Sequence, residues 1–555
     1  MVAIKHIAPT FTEEDARRIA DELYGIQVEP RALPGEHDRN FHLKAANGAE
    51  YVLKISHAAE QRDLLDLQNA ALAHLAAHAP TLALPRVQAT LAGEPLATTP
   101  GADGATHFVR LLTYVPGRLF AVTHPHTPEL LHSLGTLLGT MDRALLDFTH
   151  PAADRELKWD IPRAAWIRDY LHHIAAPARR TLVERLFAKF ERDALPLLPD
   201  LRASVIYNDA NDYNIVVDVH ERGQHRVVGV IDFGDMTRTT TVCELAIALA
   251  YAMMDKPDPL AAGAHVIAGY HDALPLTEIE LAALYPLALA RLCVSVTNSA
   301  YQQSIDPANE YLQISDRPAW ELLERLAEIP ASLAHYTFRH ACGLPAVPTA
   351  PAVVHWLTDH RAELGRLVEP DLATEPAVIF DLSIGSRDLG NVPDFEDADT
   401  FTRNLFAQME AEGARVGIGR YNETRPIYTT DAYKIAGNDG PEWRTVHLGL
   451  DVFMAAGAPV FAPLDGMVHS FRNNDAPKDY GPTIILEHSV DIDAGDIDAG
   501  ALTFYTLYGH LSLDSLDGLS VGMPVARGAR IARMGDETVN GDWPPHLHFQ
   551  IITDL

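Results

Sequence analysis

The chain has 555 residues, with 44 Lys and Arg against 75 Asp and Glu and a formal net charge of -31. That length exceeds what one hydrophobic core organises, so several domains are expected. The acidic balance argues against a nucleic-acid groove or an anionic membrane surface as partner.

Cys243, Cys293 and Cys342 are far apart and form no CxxC pair, which fits a reducing compartment and gives no disulfide framework. No run of about 18 apolar residues stands out, and the N-terminus lacks a signal-like apolar segment, so no membrane span and a cytoplasmic location are expected.

In chain order, residues 10–15 read as a helix start, with Thr10 or Thr12 as cap and Glu13, Glu14 and Asp15 in the first turn. Strands are expected at 40–44 and 50–55, joined through the hairpin pair Asn47 and Gly48. Helical composition follows over 58–78, then a strand over 106–114. The spacing of apolar residues is helical from 127 to 200, with Trp159 and Trp166 expected as packing aromatics. Short strands are expected at 204–206, 214–217 and 226–231, and mostly helix from 242 to 340.

Pro345, Pro348 and Pro351 then mark a stiff linker not expected to pack as helix. A short helical stretch follows at 353–367, and beyond 445 the chain is β-rich and punctuated by Gly and Pro, with an acidic turn at 491–498. The domains expected are therefore 1–343, 344–375 as Pro-rich linker and short helix, and 376–555. Within the first, the small lobe covers about 1–115 and the helical lobe about 116–343.

Two sets of chemistry-bearing residues lie on either side of that linker. Phosphoryl transfer needs a carboxylate near the attacking hydroxyl, oxygen ligands for a metal, and a cation on the phosphates. Asp209 supplies the carboxylate; Asn214, at the start of a strand, and Asp232, at the end of another, can reach magnesium; Lys54 lies in a strand where it can grip phosphate.

These residues resemble the protein-kinase-like fold of the aminoglycoside phosphotransferase (choline kinase-like) family over roughly residues 10–340, and within it hydroxylysine kinase and its relatives. The resemblance implies ATP and magnesium. It also implies a phosphate-covering loop over 33–41 with Gly35, Asp38 and Asn40, and an adenine-facing hinge at Thr113 and Tyr114. Two positions depart from the family pattern: Tyr207, where His or an aromatic is usual, and Asn208, where Gly is frequent. The helix acid that pairs with the lysine is Glu60 or Asp66, while Gln68 and Asn69 sit where an acid is expected. Asp212, Asp235 and Glu244 are candidates to hold a substrate ammonium.

In the second set, His546 and His548 are two apart on a strand pattern, so both side chains face one way. His447 and Asp451 are four apart, about 13 Å on a straight strand, so Gly449 must let the backbone bend if both are to reach one ion. With Tyr508-Gly509-His510, this pattern resembles the lysostaphin-type (LytM-like) zinc endopeptidases over roughly 425–555. The resemblance implies His447, Asp451 and His548 as zinc ligands, with His546 and His510 polarising the scissile carbonyl or handling protons.

The expected architecture is thus multidomain: an α+β two-lobed protein-kinase-like fold followed by a mainly-β lysostaphin-type metallopeptidase domain. The expected activity is ATP-dependent phosphorylation of a small amino alcohol or hydroxy amino acid. The alternatives are an aminoglycoside-modifying kinase, or a zinc metallopeptidase carrying a degenerate kinase-like binding domain. The second module acts on a peptide or serves as a metal-stabilised binding module. Its place in the order of modules implies a pyridoxal-phosphate-dependent domain following in the native chain.

Overall fold

The computed structural model describes residues 9–35, 38–102, 104–218, 225–305, 316–386, 389–491 and 501–555. It divides into two compact units, residues 1–344 and 345–555. The acidic turn expected at 491–498 lies, apart from Asp491, outside the described residues.

The first unit is α+β and two-lobed. Its first helix, Glu13–Tyr24, is capped by Thr12: the Thr12 hydroxyl accepts from the Asp15 amide at 3.2 Å, and the Asp15 carboxylate accepts from the Thr12 amide at 3.0 Å. Glu13, three positions on from Thr10, instead accepts from the Ala32 amide at 3.1 Å, so the box forms on Thr12. The helix lays Ala16, Ile19, Ala20 and Tyr24 on a six-stranded antiparallel sheet, against Phe41, Leu43, Leu53, Ile55, Val109 and Leu111. Period-two alternation puts the intervening residues on the other face. There Asn40, Lys54 and Arg110 stand opposite one another across neighbouring strands. The strands Val28–Leu33 and Ala97–Pro100 were not expected from the sequence.

The helical lobe is built on Pro128–Leu145, Pro177–Asp193, Cys243–Ala252, Pro259–Ala273 and Glu278–Ile305. Between 146 and 176 the expected helix is replaced mostly by short 3-10 turns. Trp159 and Trp166 pack, partly buried, against the lobe's core. The Glu278–Ile305 helix corrects the sequence reading of apolar runs: one 18-residue window reaches a mean hydropathy of 1.7, long and apolar enough to cross a membrane, and 83% of it is buried within the fold.

Pro128–Leu145 and Pro259–Ala273 cross at backbone contact. A β-carbon on Gly135 would sit 1.8 Å from the Val266 carbonyl oxygen, and one on Gly269 would sit 1.9 Å from that of His132. Gly135→Ala therefore forces the helices apart. The expected net loss is about 1–3 kcal/mol, because overpacking outweighs the gain of up to about 1 kcal/mol in helix propensity. A lowered urea midpoint checks it, and an unchanged midpoint refutes it.

The second unit is mainly β. Its eight-stranded sheet runs in the order Ala377–Phe380, Val416–Gly419, Leu450–Phe453, His546–Ile552, Ala501–Gly509, Gly481–Asp491, Gly466–Asn474 and Pro524–Val525. The first pair is parallel, with the Ala398–Ala411 helix in its connection, as a parallel pair requires a long crossover.

The segment read as linker belongs in part to this unit. Its helix is Ala350–Asp359, with Pro351 in the first turn, where the missing N–H costs no hydrogen bond. Val353 packs against Leu502 and Phe504, Val368 joins the main core, and the Gly365 amide donates to the Pro463 carbonyl at 2.8 Å.

Candidate functional sites

In the first unit, Asp209 lies between the strands Ala203–Ile206 and Ile215–Asp218. Its carboxylate accepts from the side-chain amides of Asn211 at 2.9 Å and Asn214 at 2.6 Å. Asn214 thereby commits its NH2 to Asp209 and keeps its amide oxygen for another partner. The Asn214 carbonyl accepts from the Ile231 amide at 2.9 Å, tying it to the residue before Asp232. The Tyr207 hydroxyl donates to the Ile231 carbonyl, and its ring meets Phe233 edge-on, so the departure at Tyr207 fastens the two loops together.

Asn208 and Asp232 have φ of 67° and 63°, in the left-handed region. Asn tolerates this conformation better than most residues, which explains an Asn where the family often has Gly. The Asn208 amide donates to Glu244 at 2.7 Å, and its side chain donates to the Asp235 carbonyl at 3.2 Å.

Lys54 meets Asp232 at 3.3 Å and Asp38 at 4.0 Å. Neither Glu60 nor Asp66 pairs with it: they meet His57 at 3.5 Å and Arg62 at 3.4 Å. The polar side chains of the Arg62–His78 helix turn instead to Arg110, whose guanidinium donates to Gln68 at 2.8 Å and Asn69 at 3.2 Å.

Glu244 is fully buried, with Oε2 accepting from the Asn208 amide and Oε1 left without a hydrogen-bond partner among the described residues. Asp235 faces Arg155 at 3.9 Å, and the Asp212 carboxyl is raised chiefly by burial. Burial, then the neighbouring Asp235, also raises the Asp209 carboxyl above the usual carboxylate range; Arg291 opposes this. Lys54, then burial acting against it, sets Asp232, with the net shift downward.

Of the loop expected to cover phosphate, Glu36 and His37 lie outside the described residues. Gly35 precedes them, and the Asn40 side chain reaches back to the Pro34 carbonyl at 3.5 Å. At the expected hinge, the Thr113 hydroxyl accepts from the Arg86 amide at 2.9 Å, and Tyr114 packs on His42 with ring centroids 4.6 Å apart.

Sequence reasoning missed Arg291. It is buried beneath the site, 3.9 Å from Asp209, with its guanidinium over the Trp159 ring. A single arginine in a long apolar helix carries no spacing signal that marks it.

In the second unit the sheet register assembles the other site. Gly419, Asp451, His548 and Gly509 occupy one row across adjacent strands, and His546 pairs with Phe453. The strand break between Val446–His447 and Leu450–Phe453 brings His447 Nε2 to 3.1 Å from Asp451 Oδ1. Gly449 at that break is required by space, since a β-carbon there would lie 2.3 Å from the His548 ring.

His548 Nδ1 is 3.1 Å from Asp451 Oδ1 and 3.0 Å from His447 Nε2. His447 Nδ1 donates to the Arg420 carbonyl at 2.9 Å, leaving the Nε2 lone pair directed at the cluster. The three candidate ligand atoms therefore form a nearly equilateral triangle. One face of a tetrahedron with zinc bond lengths has edges of about 3.3 Å, so a donor set of this chemistry and spacing fits zinc.

His546 and His510 lie beside it with ring centroids 4.2 Å apart. Each gives its Nδ1 proton to a backbone carbonyl, of Pro544 at 2.6 Å and of Asn540 at 2.7 Å, so each neutral ring keeps Nε2 as a proton acceptor. Burial depresses His546 to about 4, and burial with the neighbouring His546 and His548 holds His510 well below its ordinary value. Burial tends to raise the Asp451 carboxyl, but Arg425, His447 and His546 together hold it well below the usual range. Tyr480, not anticipated from sequence, packs on His510 and His548 with ring centroids 5.8 and 5.1 Å away.

Comparison with known proteins finds a different family in each unit. Residues 30–279 match the phosphotransferase enzyme family, and residues 445–554 match peptidase family M23. Hydroxylysine kinase of Mus musculus is 31% identical over 342 residues, covering 58% of this chain and 90% of that protein. Hydroxylysine kinase of Xenopus laevis is 31% identical over 357 residues, covering 59% and 95%. Among solved structures, a microcompartment-associated aminopropanol kinase aligns at 17% identity with a TM-score of 0.45, over 60% of this chain and 99% of that one. The chain belongs to the phosphotransferase enzyme family, as a small-molecule kinase fused to a peptidase family M23 domain.

Proposed function

We propose that the first unit transfers the terminal phosphoryl group of ATP to a hydroxyl of a small amino alcohol or hydroxy amino acid of the hydroxylysine or ethanolamine kind, in the ATP-supplied cytoplasm. The carrying observation is the cluster of Asp209, Asn214, Asp232 and Lys54, which joins residues far apart in the chain, Lys54 and Asp232 being 178 positions apart. Similarity to hydroxylysine kinases over most of their length supports the acceptor class.

Asp209 orients the acceptor hydroxyl and takes its proton, helped by a carboxyl made more basic by burial. The free amide oxygen of Asn214 and the half-exposed carboxylate of Asp232 are the oxygen ligands suited to magnesium. When bound, that ion neutralises charge on the phosphates. Lys54, held at the same place by Asp232 and Asp38, contacts phosphate oxygens, with Gly35, Asp38 and Asn40 over the nucleotide and Thr113 and Tyr114 beside its base.

ADP release measured across amino alcohols, hydroxy amino acids and aminoglycosides tests this. Turnover with hydroxylysine, ethanolamine or a close analogue is expected; turnover confined to aminoglycosides, or none at all, overturns it.

For the second unit we propose zinc binding by His447 Nε2, Asp451 Oδ1 and His548 Nδ1, with peptide hydrolysis as the reading that the adjacent His510 and His546 favour. Zinc supplies Lewis acidity when bound. The two histidines, neutral and with Nε2 free to accept, would take and return protons at the scissile amide.

A further inference from the structure

The carboxylate of Asp451 has its two oxygens divided between different neighbours. Oδ1 faces His447 Nε2 at 3.1 Å, His548 Nδ1 at 3.1 Å and His546 Nε2 at 3.7 Å. Oδ2 accepts from Arg425 Nη1 at 2.6 Å. Both side chains are 3% exposed, so this is a desolvated, charge-assisted bond.

The rest of the guanidinium is also committed. Its Nε donates to Glu423 Oε2 at 2.9 Å, and Nη2 reaches the Arg420 carbonyl at 3.4 Å. That same carbonyl accepts the Nδ1 proton of His447, so one arginine borders the supports of two candidate ligands. Glu423 is itself anchored: its Oε1 accepts from the Leu382 amide at 3.1 Å and lies 3.2 Å from Arg420 Nε. Backbone pairing fixes the loop to the ligand strand, with Glu423 opposite His447 and the Arg425 amide donating to the Thr445 carbonyl at 2.8 Å.

We infer that Arg425 is a positioning residue of this site, which holds Asp451 Oδ2 so that only Oδ1 is offered to the metal and a coordination position stays open. The inference rests on the zinc reading of the cluster. A carboxylate released from such a hold can turn both oxygens to one ion, because carboxylates bind metals through one or two atoms. Four-coordination with an open position is what separates a catalytic zinc site from a closed one. Glu423 serves Arg425 in turn, neutralising a guanidinium that burial makes costly to leave unpaired.

The test uses the full chain, with zinc affinity measured by chelator competition and the visible spectrum recorded with cobalt(II) in place of zinc. The His548→Ala chain provides the background to subtract. In Arg425→Gln, zinc affinity is expected to fall about 10–100-fold, the usual cost of losing a ligand's hydrogen-bond partner. The cobalt band should weaken as Asp451 becomes bidentate and coordination number rises. Arg425→Lys, able to return one charged bond to Oδ2, should recover part of both signals.

If Arg425→Gln fails to fold, Glu423→Gln decides, with the same direction of change expected in both readouts. Affinity within twofold of the unsubstituted chain together with an unchanged cobalt spectrum overturns the inference while leaving the zinc reading intact. Zinc binding no stronger in the unsubstituted chain than in His548→Ala overturns both.

Discussion

Asp209→Asn should reduce phosphate transfer by about a thousandfold while leaving nucleotide affinity nearly unchanged, within the range of 10²–10⁴ usual for loss of a general base. Asparagine keeps an oxygen to accept from Asn214, so the loop that Asn214 and Ile231 tie together stays closed. Lys54 and Asp232, the groups facing phosphate and metal, are not altered, and they contact each other rather than Asp209. Single-turnover phosphate transfer and nucleotide titration on the same preparation separate the two effects. A variant that binds nucleotide and turns over at the original rate removes Asp209 from the chemistry.

His548→Ala should take the zinc content of the second site from about one per chain to near zero after dialysis, because two protein ligands remain where three are needed. The sheet should survive. The main core of this unit is made by Val452, Val460, Val468, Ile484, Leu486, Tyr508 and Leu547, none of which depends on the ion. Metal analysis of the folded variant, checked by circular dichroism, reads the result. Retention of a full equivalent of zinc that is not bound in the first unit refutes the ligand set.

How far each site could be foreseen follows from the range of the interactions that build it. His546 and His548 could be placed on one side of a strand because two-residue alternation is local, and the bend at Gly449 followed from the reach of four residues. The positions of Asn214 and Asp232 at strand ends were equally local. The partner of Lys54 was not, because it comes from another part of the chain, while the nearby helix spends Gln68 and Asn69 on Arg110. Arg425 and Arg291 were invisible for the same reason: each is defined by the buried carboxylate it approaches, not by any spacing of its own. The prolines near 350 misled in the opposite way, since Pro351 occupies the one turn of a helix that accepts proline without loss.

That misreading bears on what can be moved as a module. The stretch matching the peptidase family begins at residue 445, yet Val353, Val368, Phe380 and Leu405 lie upstream of it in the apolar clusters that close this unit. Cutting at 376 would leave Leu502 and Phe504 without Val353, and cutting at 445 would also remove two strands of the eight-stranded sheet and Arg425. The transplantable piece is therefore the whole of 345–555, and a graft that carries only the recognisable motif would inherit the histidines without the walls that hold them.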